Sequence, residues 1–184
     1  MRAFHQIYNP VMALRVLAKV RTELPEATLT MAGQDNGLQA DMQALAAKLG
    51  IQGSVRFPGF LNMADKIREG QHADIFINTT RIDNSPVCVV EACAMGLPVV
   101  STNVGGVPDL VTHEKTALLV PDDDVEAMAR SVLRLVEDPA LSSTLSRNGR
   151  ELASASAPEN VCPKWEKLFS EVLAERNGSA VGRS

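Results

Sequence analysis

Two carboxylates, Asp83 and Glu91, stand eight residues apart with a helix-start signal, Ser85-Pro86, between them. Proline suits a first helical position, because its fixed φ and missing N–H cost nothing there, and a serine before it is a good cap. The pattern predicts a helix beginning near Pro86 with Ser85 as its N-cap. Val90, Glu91, Ala94 and Met95 follow at helical spacing, and Gly96 is placed to end the helix in a left-handed conformation. Backbone N–H groups around Ser85, Pro86, Val87 and Cys88, at the positive end of the helix dipole, make a site for an anion. With Asp83 outside that end and Glu91 further in, the run can address one ligand in several places, an anionic centre flanked by polar groups. A Ser-Pro helix start taken alone is most often a cap and nothing more.

The elements that must position these residues alternate in type. A strand is expected at residues 2–5 and a helix at 9–23, with Val11, Leu14, Leu17 and Ala18 on one face. A second strand at 28–32 ends at Gly33. A helix carrying Leu38, Met42, Leu45, Ala46 and Leu49 stops at Gly50, and further strands are expected at 54–57, 74–78 and 97–101. Short apolar strands alternating with helices indicate a parallel sheet covered on both faces, a doubly wound α/β fold with a single Rossmann-like domain. Ligands of such folds lie at the carboxyl ends of the strands. Gly33, Phe60, residues 79–86 and residues 103–106 all fall at that edge, where they line one crevice. Phe60 reads equally well as a core residue. The chain has no GxGxxG after its first strand and no Walker loop, which removes the dinucleotide dehydrogenase and P-loop readings.

The continuation beyond Glu91, Ala92-Cys93-Ala94-Met95-Gly96-Leu97-Pro98-Val99-Val100, with Gly105, Gly106 and Asp109 in register, resembles the C-terminal domain of the retaining GT-B glycosyltransferases of family four. The likeness extends over residues 29–33, 45–60, 73–78 and 121–123. It implies a nucleotide-diphosphate sugar donor as partner, no metal and no cofactor. Carried over residue by residue, Glu91 holds the ribose hydroxyls, since a carboxylate accepts from two at once. Asn84, Ser85, Pro86 and Val87 border the diphosphate, Asp83 meets the donor sugar and steadies positive charge in the transition state, and Arg2 neutralises the leaving phosphate. Gly33 and Phe60 border the rest of the donor. The sequence departs from the family pattern in three ways. Asp83 replaces a glutamate and is one methylene shorter, Ser85 and Pro86 replace Phe and Gly, and the lysine expected near Ile7 or Tyr8 is missing, the first lysine being Lys19. His5 is the local stand-in, although a strand-end or core histidine is the commoner reading.

A chain of 184 residues fits one domain, whereas the resemblance implies an enzyme about twice as long. Residues 1–176 are expected to form the donor-binding domain with C-terminal helices and 177–184 a polar tail without structure. The acceptor-binding domain is expected to be absent, so that the chain is a fragment, a truncated product or one half of a split transferase inactive alone. A separate acceptor-binding protein or domain is then the second partner. The alternative is a noncatalytic subunit or a degenerate domain that mediates protein contacts. A net charge of −4 argues against nucleic acid. Arg15, Lys19 and Arg21 on the first helix read as a solvated surface in preference to a face for anionic lipid. Three cysteines without a CxxC pair, no run of transmembrane length and no signal-peptide pattern are those of a cytoplasmic protein. The last helices carry apolar stripes at Val125, Met128, Ala129, Val132 and Val136 and at Val161, Trp165, Leu168, Phe169 and Val172. The resemblance implies that the second stripe, with Trp165 and Phe169, is left exposed, because the terminal helix of the family commonly braces the other domain.

Overall fold

The computed structural model describes residues 3–181, with side chains through Ala174. Its elements follow in the order α1 (Pro10–Val20), β1 (Leu29–Ala32), α2 (Gln39–Lys48), β2 (Val55–Gly59), α3 (Met63–Gln71), β3 (Phe76–Asn78), α4 (Val87–Met95), β4 (Val99–Thr102), α5 (Val107–Leu110), β5 (Leu118–Val120), α6 (Val125–Glu137), α7 (Pro139–Ala155) and α8 (Pro158–Val181). Every strand pairing is parallel. β1 lies beside β2, and β3, β4 and β5 form a second block in that order.

Helices cover both faces, as a parallel sheet requires. α1, α2 and α6 pack together on one side, and α3, α4 and α7 on the other. The period-2 alternation of β4 divides its side chains between the two layers. Val100 joins Met12, Val16, Leu118 and Met128 in the α1/α6 core, while Val99 joins Val89, Ala92 and Val107 beneath α4. A third cluster, built on Leu14, Met31, Met42 and Val55, fills the space between α1, α2 and the β1–β2 pair. The α/β fold read from the sequence is the fold observed.

Several local expectations are corrected. The strand expected at 2–5 is reduced to one parallel bridge between Phe4 and Asp35, followed by a 3₁₀ turn at Gln6–Tyr8. The turn forms because the His5 imidazole accepts from the Ile7 amide, and Asn9, at φ 47°, then swings the chain into α1 and caps it through Oδ1 to the Met12 amide. In α4 the buried face is Cys88, Val89, Ala92 and Cys93, one residue round from the stripe expected, with Ala94 exposed. In α6 it is Met128, Ala129 and Leu135, while Val136 is exposed. α8 runs from Pro158 to Val181, and residues 182–184 lie outside the described residues. Trp165, Leu168, Phe169, Val172 and Leu173 are all exposed on α8, with the Trp165 and Phe169 rings 5.6 Å apart.

Candidate functional site

The loop between β3 and α4 carries the candidate residues, and buried hydroxyls hold its backbone. Thr80 Oγ1 donates to the Ile82 carbonyl at 2.8 Å, Thr102 Oγ1 donates to the Thr80 carbonyl at 2.6 Å, and Thr79 Oγ1 donates to the Tyr8 carbonyl at 2.8 Å. Thr80 and Thr102 are wholly buried. Hydroxyls therefore satisfy a path that turns too sharply for strand or helix hydrogen bonding. None of these threonines stands out in the sequence as a site residue, since their partners are backbone groups up to 73 residues away.

Asp83 is half-buried at the centre of this loop. Its Oδ1 accepts from the Ser85 amide at 3.1 Å, and its carbonyl accepts from the Gly106 amide at 2.8 Å. The Gly105-Gly106 turn lies directly against it. A Cβ on Gly105 would stand 2.3 Å from the Asp83 carbonyl oxygen, and one on Gly106 would stand 2.0 Å from that of Asn84. Gly105 also has φ 53°, in the left-handed region that favours glycine. The glycine pair thus lets the 103–106 turn press against the loop and set the position of Asp83.

The expected cap is displaced by one residue. α4 begins at Val87 with Pro86 as N-cap, and Ser85 makes no capping bond to it. Asp83 captures the Ser85 amide in an Asx turn, and Pro86 takes φ −74° and ψ 86°, outside the helical region. Because Pro86 has no N–H and the Ser85 amide donates to Asp83, Val87 is the amide of the 85–87 stretch available to an anion. Asn84, Ser85 and Val87 are exposed, and Pro86 is buried.

Glu91 lies four residues into α4, about 6 Å along its axis from Val87. Its Oε1 accepts from Lys66 Nζ of α3 at 2.6 Å, with the two side chains 26% and 17% exposed. Lys66 is the cation that sequence reasoning missed. The pair spans 25 residues and two elements, so no spacing rule reports it. Oε2 of Glu91 remains as an acceptor for hydroxyls.

A second cation at this edge, Arg81, was also not anticipated. Its amide donates to the Ile7 carbonyl at 2.8 Å, and its guanidinium lies 3.6 Å from Asp122 and 3.3 Å from Asp123. Asp123 takes a further bond from Asn9 Nδ2 at 3.0 Å. The Asn9 hydrogen bond, reinforced by Arg81, holds the Asp123 carboxyl below the usual range. Arg2 lies outside the described residues. His5 is exposed and spends Nδ1 on the Ile7 amide.

At the far side of the edge, the buried Gly33 donates its amide to the Gly59 carbonyl at 2.9 Å and joins the ends of β1 and β2. Phe60, the next residue, is 71% exposed, which excludes the core reading. Asp83, Glu91 and the start of α4 are therefore brought together on adjoining segments, with Gly33 and Phe60 across the same edge, while Arg2 is not placed.

The chain is similar to known glycosyltransferases over most of its length. A D-inositol 3-phosphate glycosyltransferase of Saccharomonospora viridis is 31% identical over 74% of this chain, which covers 32% of that enzyme. Among solved structures, HepE from Anabaena in complex with UDP and glucose superposes with a TM-score of 0.79 at 21% identity, covering 95% of this chain and 47% of that one. The C-terminal domain of a group 1 glycosyl transferase from Francisella tularensis gives a TM-score of 0.75 at 16% identity, covering 84% of this chain and 82% of that domain. The chain thus spans about a third of the curated relative and about half of the longer solved structure. A family model, glycosyl transferases group 1, matches residues 2–152, and the chain accordingly belongs to that family and has the Rossmann-like fold of its GT-B C-terminal domains.

Proposed function

We propose that this domain binds the nucleotide-diphosphate sugar donor of a retaining glycosyl transfer, with the acceptor held by a separate domain or protein. The observation that carries the reading is the half-buried Glu91, fixed by Lys66 one turn inside α4, the helix that follows the carboxyl end of β3. Glu91 Oε2 accepts the ribose hydroxyls, while Lys66 keeps the carboxylate oriented through Oε1. The Val87 amide and the positive end of α4 meet the diphosphate. Asp83, held by the Gly106 amide, stands beside that end and serves the sugar, where a carboxylate stabilises positive charge developing at the anomeric carbon. Arg2 supplies charge to the leaving phosphate. The UDP and glucose bound by HepE support a donor of this class.

Calorimetric titration with UDP, GDP and ADP tests the proposal. Saturable binding of one nucleotide is expected, with Glu91→Gln weakening it at least about tenfold while circular dichroism and the melting temperature stay near those of the parent. An unchanged affinity would remove Glu91 from the site. A second reading, a noncatalytic module that mediates protein contacts, draws support from the exposed apolar face of α8, and a folded chain that binds none of the three nucleotides would favour it.

A further inference from the structure

α3 is fastened to the molecule in an unusual way for a covering helix. Its apolar side chains Met63 and Ile67, one turn apart, are exposed, while Lys66, Glu69 and Gly70, at the spacing of one helix face, are partly buried. An amphipathic helix ordinarily does the reverse. No residue of α3 is buried, and none belongs to the three apolar clusters. Two ion pairs tie it down instead. Glu69 accepts from Arg56 of β2, whose guanidinium also donates to Thr30 Oγ1 of β1 at 2.9 Å, and Lys66 donates to Glu91 of α4 at 2.6 Å. Near its end, Gly70 lies against the Met95 sulfur, where a Cβ would overlap it. A segment held by polar ties without apolar burial opens locally at low cost. One of its two ties ends on Glu91, the residue assigned to the ribose.

Lys66 is the fourth residue of α3 and Glu91 the fifth of α4, so both stand near helix starts that follow the carboxyl ends of β2 and β3. An ammonium has three N–H donors, and among the described residues Lys66 spends its bond on Glu91 Oε1. An ionised carboxylate only accepts. Glu91 can therefore take the two protons of a vicinal diol, yet it has nothing to offer the lone pairs of the same hydroxyls. Lys66, held against it, carries the donors that Glu91 lacks. Both side chains are largely shielded from water, at 17% and 26% exposure, which strengthens charge-assisted bonds between them and a ligand.

Resting on the donor-binding reading, we infer that Lys66 is a second recognition residue for the ribose. It donates to a hydroxyl oxygen while Glu91 accepts from the diol, and the bound diol thereby fastens α3 to α4. The nucleotide is read from two helices, and the occupied state is the one in which α3 is held.

Calorimetry and hydrogen exchange on the full chain test this with UDP, GDP and ADP and the dideoxy counterpart of each, which lacks both ribose hydroxyls. The nucleotide that binds is expected to be preferred over its dideoxy form at least about thirtyfold, and Lys66→Met to cut that preference at least about fivefold, because one charge-assisted bond is lost. At saturation the ribonucleotide is expected to raise protection of the Met63–Gln71 amides at least about fivefold, and the dideoxy form to leave it near that of the free chain. If Lys66 only orients Glu91, neither ligand moves the protection of α3. Arg56→Met removes the other tie and touches neither Glu91 nor Lys66. It is expected to lower the protection of α3 in the free chain and to leave the preference for ribose unchanged. An equal loss of preference in both variants, or α3 protection unmoved at saturation with the ribonucleotide, would overturn the role given to Lys66 and leave donor binding at Glu91 standing. A folded chain that binds none of the three nucleotides would overturn the donor-binding reading and this inference with it.

Discussion

Replacing Gly106 by alanine isolates the contact that positions Asp83. Gly106 has φ −84°, which any residue adopts, so the substitution adds no backbone strain of its own and acts through space alone. Its new Cβ would stand 2.0 Å from the Asn84 carbonyl oxygen, a backbone atom that cannot rotate away. Ordinary van der Waals contact begins near about 3.5 Å, so the 83–84 segment and the 105–106 turn must separate by roughly 1.5 Å. That movement breaks the bond from the Gly106 amide to the Asp83 carbonyl, a loss of about 1 kcal/mol, in addition to about 1–3 kcal/mol for forced overpacking. A total of roughly 2–4 kcal/mol corresponds to a fall in melting temperature of roughly 5–15 °C for a chain of this size. On the proposed role of Asp83 the functional effect is larger in proportion, because displacing a catalytic group by about 1 Å lowers a rate about a hundredfold. Differential scanning calorimetry gives the first quantity. The proposed glycosyl transfer, assayed with an acceptor-binding domain supplied, gives the second. Gly53→Ala is the control, since nothing lies within 4 Å of a Cβ there. A Gly106→Ala protein that melts with the parent would refute the argument that the glycine pair holds Asp83 in place.

Native-state thiol titration is expected to modify Cys162, which is exposed, and to leave Cys88 and Cys93 unmodified until denaturant is added; burial pushes the Cys93 thiol up to about 11, and rapid labelling of it in the folded chain would contradict that placement. Asp123 has a lowered pKa, so its contribution to stability is fully present above its unfolded value near about 3.9 and is lost as pH falls through the lower folded value. Asp123→Asn, which tolerates the left-handed φ of 57° there, should therefore show a shallower loss of melting temperature below about pH 4 than the parent, and parallel curves would remove the linkage. Leu145→Ala, at a side chain with no exposed surface in the α1/α6 core, is expected to destabilise by about 2–5 kcal/mol in urea unfolding; a change below about 1 kcal/mol would mean that the cluster repacks freely.

What the sequence made legible was local. Gly96 ends α4 at φ 79° as its position after Met95 predicts, and the alternation of short apolar runs with amphipathic ones is the α/β layering observed. The candidate residues Asp83 and Glu91 were found through one contiguous run, which needs no tertiary knowledge. The missed features are those created by folding. Lys66 reaches Glu91 from another helix, Arg81 is captured by Asp122 and Asp123 from across the sheet, and Ser85 does not cap because α4 starts at Val87 with Pro86 in the cap position. Residues 2–5 read as a strand by composition, yet the backbone at Phe4 makes a single bridge before His5 turns it. Phe60 shows the remaining difficulty, for an aromatic beside a glycine turn carries no signal of which side of the surface it takes.

The packing of α1 on α6 governs how such a chain folds as it is made. α1 finishes at Val20, but the helix that covers its apolar face ends at Glu137, and Asn9 waits for Asp123. At a synthesis rate of about 5–20 residues per second, roughly 6–25 seconds separate the appearance of the two helices. During that interval Met12, Val16 and Val20 have no α6 to bury them, and only Val100, Leu118 and Val120 of β4 and β5, once made, share their cluster. Half the nascent domain is thus an open apolar layer awaiting its last third, which makes residues 125–137 the step at which a growing chain becomes a closed one and the interval before it the period of greatest exposure to aggregation.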